Sequence, residues 1–169
     1  MLIRWRTHKF AWHTDISKMY NRVLLDESHW RFQLYLWDEN LRVGVPPKWK
    51  FVRSLIYGVK PSGQLAGIAI RKLAELVKDE CPLAYPVILN DIYVDDNLSG
   101  ADSVALRNKI TDQLALGLAK AKFLLKGYTF SGELPPAHLS LDGESVSVAG
   151  SKWFSKEDNI NSRFESCQA

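Results

Sequence analysis

The sequence predicts an α+β fold, in which an antiparallel sheet carries two helices on one face and is followed by a C-terminal hairpin. Two segments, 65–77 and 106–121, have apolar residues at helical spacing, and β-favouring runs lie before, between and after them. This order matches the split β-α-β-β-α-β layout, also called ferredoxin-like. With 169 residues, 46% of them hydrophobic and 24% charged, the chain has the composition of an ordinary globular protein.

The first half of the chain supplies one strand, an irregular β-rich region and one helix. Aromatic and β-tolerant residues from Phe10 to Ile16 predict a strand. The alternation from Trp30 to Trp37 predicts another, and a further β-rich run begins at Lys48. The first helix has a stripe that we assign to the core and that ends before Pro82; its members are Leu65, Ala69, Leu73, Leu76 and Val77.

The second half supplies the central hairpin, the second helix and the last strands. The apolar run 87–94 predicts a strand that ends at Asp95 and Asp96. The second helix, capped by Asp102 or Ser103, also has a core stripe, formed by Leu106, Ile110, Leu114, Leu118 and Ala121. We then expect a strand over 123–130, a hairpin turning at Asp142-Gly143, and about a dozen polar residues that fray.

Composition narrows the function classes only slightly. A net charge of +3 is compatible with a polyanionic partner without requiring one. Cys81 and Cys167 lack metal-ligand spacing, so we expect free thiols in an intracellular, reducing compartment. No signal peptide or membrane span is predicted. The four histidines show no ligand spacing and receive no role: His8, His13, His29 and His138.

Three carboxylates lie where the predicted strands end. Asp15 closes the first strand, and Asp95 and Asp96 occupy the tip of the central hairpin. Adjacent strands are about 5 Å apart, so these side chains could gather at one sheet edge. Clustered carboxylates disfavour one another's charge unless a cation neutralises them, and short Asp side chains suit Mg²⁺. Two such ions could support an in-line phosphoryl displacement.

The same acids are also compatible with a purely structural role. Asp-Asp-Asn is good turn chemistry, and a solvated hairpin tip carries acids at little cost. Asp15 could simply cap the turn that contains Ser17 and Lys18. A small metal-dependent hydrolase on the same layout is a third alternative.

Six segments of the sequence carry a family resemblance. Tyr93-Val94-Asp95-Asp96 resembles the Tyr-x-Asp-Asp motif of reverse transcriptases, in a strand-turn-strand context. Upstream, "DISKMYNRV" (15–23) is similar to the family's first catalytic motif, and "GVKPSGQLAGIAIRKLAEL" (58–76) to its middle motif. Near the end, "KGYTFSGELPP", "LDGESVSVAGSKWF" and "KEDNI" resemble the region after the palm motifs in BEL/Pao-type LTR retrotransposon polymerases. The likeness spans roughly Phe10 to Ile160.

The resemblance implies an RNA-directed DNA polymerase palm, a fragment of a retrotransposon Pol polyprotein. Asp15, Asp95 and Asp96 would be catalytic and would bind two Mg²⁺ ions, with Mn²⁺ as an alternative. The carbonyl of Ile16 would be an extra ligand. The metals would activate a primer 3′-hydroxyl and neutralise the incoming triphosphate.

The same resemblance implies a nucleotide-binding set. Backbone N–H groups of Lys18 and Met19 would face the triphosphate, and Tyr20 would be the steric gate that excludes a 2′-hydroxyl. Ser62 and Gly63 would contact the nucleotide sugar and templating base. Tyr20 could instead be a core aromatic residue, and Ser62 and Gly63 could belong to a plain helix N-terminus.

The resemblance also divides the chain. Residues 1–130 would form the palm core, and 131–169 would form a primer-grip-like hairpin and a polar tail. The grip would consist of Gly150, Ser151, Lys152 and Trp153, although Trp153 could instead cap the core.

The implied partners are an RNA or DNA template-primer, deoxynucleoside triphosphates, and the fingers, thumb and ribonuclease H of a parent polyprotein. The location would be cytoplasm or a virus-like particle. About ten residues precede the first motif, and the sequence ends soon after the predicted grip. We therefore expect fingers and thumb to be missing and the isolated chain to polymerise poorly or not at all. The alternative is a non-catalytic, retroelement-derived nucleic-acid-binding remnant.

Overall fold

A computed structural model describes residues 2–39, 44, 46–140 and 142–161. The elements of the first half are α1 (Leu2–Trp5), β1 (Phe10–Ser17), α2 (Met19–Arg22), a 3₁₀-helix (Glu27–Gln33), β2 (Leu34–Trp37), β3 (Lys48–Phe51) and α3 (Ser62–Val77). Those of the second half are α4 (Tyr85–Asn90), β4 (Ile92–Tyr93), β5 (Asp96–Ala101), α5 (Val104–Lys120), β6 (Leu124–Phe130), β7 (Ser145–Val148), β8 (Ser151–Phe154) and β9 (Asn159–Asn161).

The central unit is a four-stranded antiparallel sheet with the order β4-β5-β1-β6. Together with α3 and α5 it gives the predicted split β-α-β-β-α-β order, so the expected α+β fold is confirmed. The main core lies between the helices and one face of this sheet. Trp12 and Ile16 of β1 contribute to it from the sheet side, and both are fully buried.

The other face of the sheet packs against a second, smaller apolar cluster. Alternate residues of a strand point to opposite faces, so Ala11, His13 and Asp15 point away from the helices. A second apolar cluster forms on this side from α1, the central sheet and the three-stranded sheet β7-β8-β9. Its buried members are Trp5, Ala11, Leu98, Val146, Val148 and Trp153.

The long helices exist as predicted, but the buried face of the first is rotated from the predicted stripe. Leu73 and Val77 of α3 are buried, whereas Leu65 and Leu76 are exposed. Its remaining buried residues are Ser62, Ala66, Ile70 and Ala74. Small alanines, which a search for large apolar residues overlooks, let α3 approach the core closely. In α5 the stripe is largely confirmed, with Leu106 exposed, and the Ser103 hydroxyl accepts from the Leu106 N–H at 3.2 Å.

The strand predicted over 87–94 is wrong in its first half, because residues 85–90 form α4. Pro86 stands in the first turn of this helix, where its missing N–H costs nothing. Val87 and Ile88 are buried in the main core. A short apolar run buries equally well as helix or strand, so periodicity cannot distinguish them.

The strand predicted from Trp30 to Trp37 is only half right. Residues 27–33 form the 3₁₀-helix, whose start is capped by the Asp26 carboxylate accepting from the Ser28 N–H at 3.0 Å. The true strand is β2, which pairs with β3. A side-chain cap that satisfies the backbone locally competes with strand pairing in this segment.

The C-terminal hairpin turns at Ala149-Gly150, so the turn predicted at Asp142-Gly143 is wrong. Ala149 and Gly150 both have positive φ, as a two-residue hairpin loop requires. Asp142 instead forms a tight local turn, accepting from Ser145 N–H and hydroxyl, each at 2.8 Å.

The predicted frayed tail is also partly wrong, because residues 159–161 form β9. Residues 162–169 lie outside the described residues, and Cys167 is among them. Cys81 is a buried free cysteine.

Candidate functional site

The fold brings the acid of the first strand beside the acidic pair of the central hairpin. Asp15 of β1 is the direct cross-strand partner of Asp96 in β5, so both side chains are on the same face of the sheet. The Asp95 carbonyl accepts a hydrogen bond from the Ile16 N–H at 2.8 Å, which fastens the turn to the end of β1. The three carboxylates therefore lie together at one end of the central strands β1 and β5, which is called the sheet edge below.

Asp15 lies at an irregularity in the strand pairing. The register between β1 and β6 shifts between Thr14 and Ile16, so Asp15 has no partner in the β6 ladder. Such bulges bend a strand locally and redirect a side chain, and they are frequent beside active sites. The Asp15 side chain therefore projects from an irregular part of β1.

The carboxyl of Asp15 is only half satisfied. Its Oδ2 accepts from the Lys126 ammonium of β6 at 2.9 Å, whereas its Oδ1 is buried without a hydrogen-bond partner. A buried carboxylate oxygen without a partner costs free energy. A bound cation would satisfy this oxygen.

The turn that carries Asp95 is strained. Val94 precedes it with φ of 56°, a conformation that hairpin turns normally assign to Gly or Asn and that is rare for a β-branched residue. Residues 93 and 96 close the turn as a cross-strand pair. Strain of this kind persists where the surrounding structure enforces it, and it clusters at functional sites.

Electrostatics at this edge favour a positive charge. Burial raises the pKa of the Asp95 carboxyl above its usual range, and the charges of Asp15 and Asp96 raise it further. The hydrogen bond to Asp15 raises the pKa of Lys126 above its usual range, and the charges of Asp15 and Asp95 add to this effect. Burial, followed by the charge of Asp95, also raises the pKa of the Tyr57 hydroxyl.

Asp96 differs from the other two acids because both of its oxygens have partners. Oδ1 is 2.9 Å from His13 Nε2, and Oδ2 accepts from the Ala149 N–H at 3.3 Å. The tip of the β7-β8 hairpin is therefore attached to the carboxylate cluster.

A buried asparagine, Asn97, fixes the central hairpin next to the acidic pair. The Asn97 side chain is fully buried, accepts from the Trp12 indole N–H at 2.9 Å, and donates to the Asp91 carbonyl at 2.9 Å. These bonds fix β5 against β1 one residue beyond Asp96. Asp95 therefore stays in the turn, whereas Asp96 and Asn97 belong to β5.

A magnesium ion that keeps most of its own water would need only part of the donor set at this site. Within the described residues, no group of three or more His, Cys, Asp or Glu side chains is arranged to enclose a metal ion. Mg²⁺ commonly uses only one or two carboxylates together with water and substrate phosphates. Asp15, with its unpartnered oxygen, and Asp95 match that smaller requirement, while the Ile16 carbonyl stays a predicted ligand.

The segment predicted to face the triphosphate has a suitable backbone. Lys18 is exposed and adopts the left-handed conformation, with φ of 51° and ψ of 42°, and α2 follows it directly. The Met19 side chain is buried in the main core. Only the backbone of this turn is available to a ligand, apart from the Lys18 side chain.

The burial of Tyr20 agrees better with a core aromatic residue than with an open steric gate. It is 8% exposed, and its ring meets that of Tyr57 edge-on at 4.4 Å. A Cβ on Gly63 would be 3.5 Å from the Tyr20 hydroxyl, which is ordinary contact, so this packing does not demand glycine. Ser62 is buried beside a mainly apolar cavity of about 300 Å³.

The predicted grip residues have two different environments. Gly150 forms the turn, and Lys152 pairs with Asp142 at 3.2 Å. Trp153 is fully buried, with its ring 4.8 Å from that of Trp5, so it is a core residue of the second cluster. Ser151 opens β8 beside the tip that reaches Asp96.

A cleft of about 220 Å³ lies between the carboxylate edge and the hairpin. Asp15 and Lys126 line one side, and Val146 and Ser147 of β7 line the other. Asp15 is therefore one of the residues that a ligand in this cleft would meet.

Sequence reasoning missed several residues of this site, namely His13, Lys126, Asn97 and Tyr57. His13 could have been found, because it lies two residues before Asp15 on the same strand face. Lys126 could not, because its position depends on the register of β6 against the bulge. Asn97 is hidden in the sequence because turn chemistry already explains an asparagine after two aspartates.

The chain matches no protein-family model and no curated protein. In the part of the chain that the structure describes, none of the helices combines the length and the apolar character that crossing a membrane requires.

Proposed function

We propose that the chain is the palm of an RNA-directed DNA polymerase of the BEL/Pao retrotransposon type. Its reaction would be two-metal nucleotidyl transfer from a deoxynucleoside triphosphate to a primer 3′-hydroxyl on an RNA or DNA template. The observation that supports this proposal best is the shared edge of Asp15, Asp95 and Asp96, which come from two distant segments.

Three further features support this function over a plain acidic turn. The unpartnered Oδ1 of Asp15, the bulge beneath it and the positive φ of Val94 each cost stability. A solvated turn would need none of them. The tip of the 145–154 hairpin also reaches the acids, where a primer grip would have to be.

The residues of this chain would act mainly by positioning. Asp15 and Asp95 would hold Mg²⁺, which when bound would lower the pKa of the primer hydroxyl and neutralise the triphosphate. The backbone of Lys18 and Met19 would orient the triphosphate. The β7-β8 hairpin would hold the primer strand beside the cleft, and Lys126 would release Asp15 as the metal enters.

The experiment is primer extension on an RNA template with deoxynucleoside triphosphates and Mg²⁺. It uses the 169-residue chain and the same chain placed between the fingers and thumb of a related polymerase. We expect extension by the fusion that Asp15→Asn abolishes, and weak or no extension by the chain alone. A folded fusion that never extends the primer would contradict the proposal.

A second candidate is a non-catalytic nucleic-acid-binding remnant. The ion pair between Lys126 and Asp15 favours it, because an ammonium neutralises the carboxylate without a metal. Under this alternative, the chain would bind template-primer, with or without Mg²⁺, and both it and the fusion would lack nucleotide transfer.

A further inference from the structure

The three acids of the site are not equivalent, and a histidine contacts one of them. Asp15 has one oxygen without a partner, whereas Asp96 has a partner for each oxygen. His13, whose side chain is 9% exposed, approaches Asp96 at 2.9 Å. An ionised carboxylate only accepts, so the His13 tautomer with its proton on Nε2 would donate in this contact.

The geometry points to His13 as a positioning residue that holds Asp96 against the tip of the β7-β8 hairpin. In this arrangement Asp96 links the sheet to the hairpin through the Ala149 N–H, and Asp15 and Asp95 are left as the cation ligands. The part of this inference that concerns the cation depends on the proposed function. The part that concerns the hairpin does not.

The link is specific because each partner is placed by a different element. His13 comes from β1, Asp96 from β5 and Ala149 from the turn after β7. The last pair of the β7-β8 ladder is Val148 with Ser151, so the N–H of Ala149 belongs to the two-residue loop and not to the ladder. Ala149 has φ of 46° in this loop. The carboxylate of Asp96 is its hydrogen-bond acceptor.

The other groups on this face do not replace His13. Lys126 is engaged with Asp15, and His138 Nε2 is 3.1 Å from the Lys126 carbonyl. Without His13, Asp96 would lose its partner on Oδ1 and could turn toward Asp15 and Asp95. A third free carboxylate would increase the attraction for a divalent cation.

The test compares His13→Leu with His13→Gln, whose amide can still donate to Asp96. Exchange of the Ala149 amide is followed by NMR without metal, and Mn²⁺ affinity is measured by calorimetry. We expect His13→Leu to accelerate Ala149 exchange about tenfold, while amides of α5 keep their protection. We expect it to tighten Mn²⁺ binding about threefold to tenfold. His13→Gln should restore both values.

Asp96→Ala provides a second variant in case His13→Leu fails to fold. It removes both acceptors and keeps the strand backbone, so the Ala149 amide should again exchange faster. Unchanged Ala149 exchange in either folded variant would overturn the inference. Faster exchange without any Mn²⁺ binding by the wild type would keep the hairpin link and reject the proposed cation site. Weaker Mn²⁺ binding by a folded His13→Leu would overturn the assignment of Asp96 as a positioning carboxylate.

Discussion

The two faces of the four-stranded sheet are built from the same strands but differ in chemistry near the end of β1. The helix side is mainly apolar there, whereas the opposite face, here called the polar face, carries charged side chains beside the smaller apolar cluster. On the helix side, β1 buries Trp12 and Ile16 in the main core, with Thr14 buried between them. On its opposite face, the same strand presents His13 and Asp15 to a cleft. The apolar face explains why the chain folds. The polar face carries crowded charges that folding does not need, and the proposed function would account for them.

The largest effect should come from the helix side. Leu114 of α5 is fully buried between α5 and the sheet. Leu114→Ala should destabilise the fold by about 3 kcal/mol, because it removes buried methyl groups and leaves a cavity. Chemical denaturation measures this change. Leu116→Ala on the exposed side of the same helix should change stability by no more than about 0.5 kcal/mol. Equal losses in the two variants would mean that the core is not where the structure places it.

The next effect concerns the polar face. Lys126→Met removes the ammonium that pairs with Asp15 and that would compete with a metal ion for its carboxyl. Binding of Mn²⁺, measured by calorimetry, should become about tenfold tighter. Lys120→Met, which removes a lysine paired with Glu80 on the surface, is the matched control and should leave the affinity unchanged. Weaker binding after Lys126→Met would show that Lys126 assists the site and does not compete.

The smallest effect is a pH dependence that only the polar face should produce. Because the pKa of Asp95 is raised in the folded state, the folded protein retains this proton as pH rises above 3.8 and the unfolded chain loses it. Asp95 therefore contributes stability at low pH that is lost as pH rises through its folded pKa. Asp95→Asn should remove this loss. Since Asp95 is half-buried and solvent screens its charge, we expect a gain of roughly 0.5 kcal/mol at pH 7.

The measurement is urea unfolding of wild type and Asp95→Asn at several pH values from about 4 to about 7. The stability difference should increase with pH. Asp79→Asn, at an exposed carboxyl just after α3, controls for the loss of a charge. A difference that stays constant, or that shrinks toward neutral pH, would show that Asp95 is not destabilised by its surroundings.

The sequence predicts the helix side better than the polar side, for a physical reason. Apolar residues at helical spacing identify α3 and α5 over most of each helix. Burial of one helix face imposes this spacing on the sequence. The run at 87–90 has no comparable signal, so the choice of helix there depends on Pro86 and on tertiary packing. The position of Asp15 beside Asp96 is predictable from strand order. The attachments of His13, Lys126 and Ala149 depend on register and on a bulge, which local residue patterns do not specify.

The central claim is that Asp15 and Asp95 share a divalent cation at the sheet edge. Calorimetric titration of Mn²⁺ into wild type, Asp15→Asn, Asp95→Asn and the control Asp79→Asn tests it most directly. We predict binding to wild type and to Asp79→Asn, with affinity at least about tenfold weaker for the two site variants. Equal affinity in all four proteins, or no binding to a folded wild type, would contradict it.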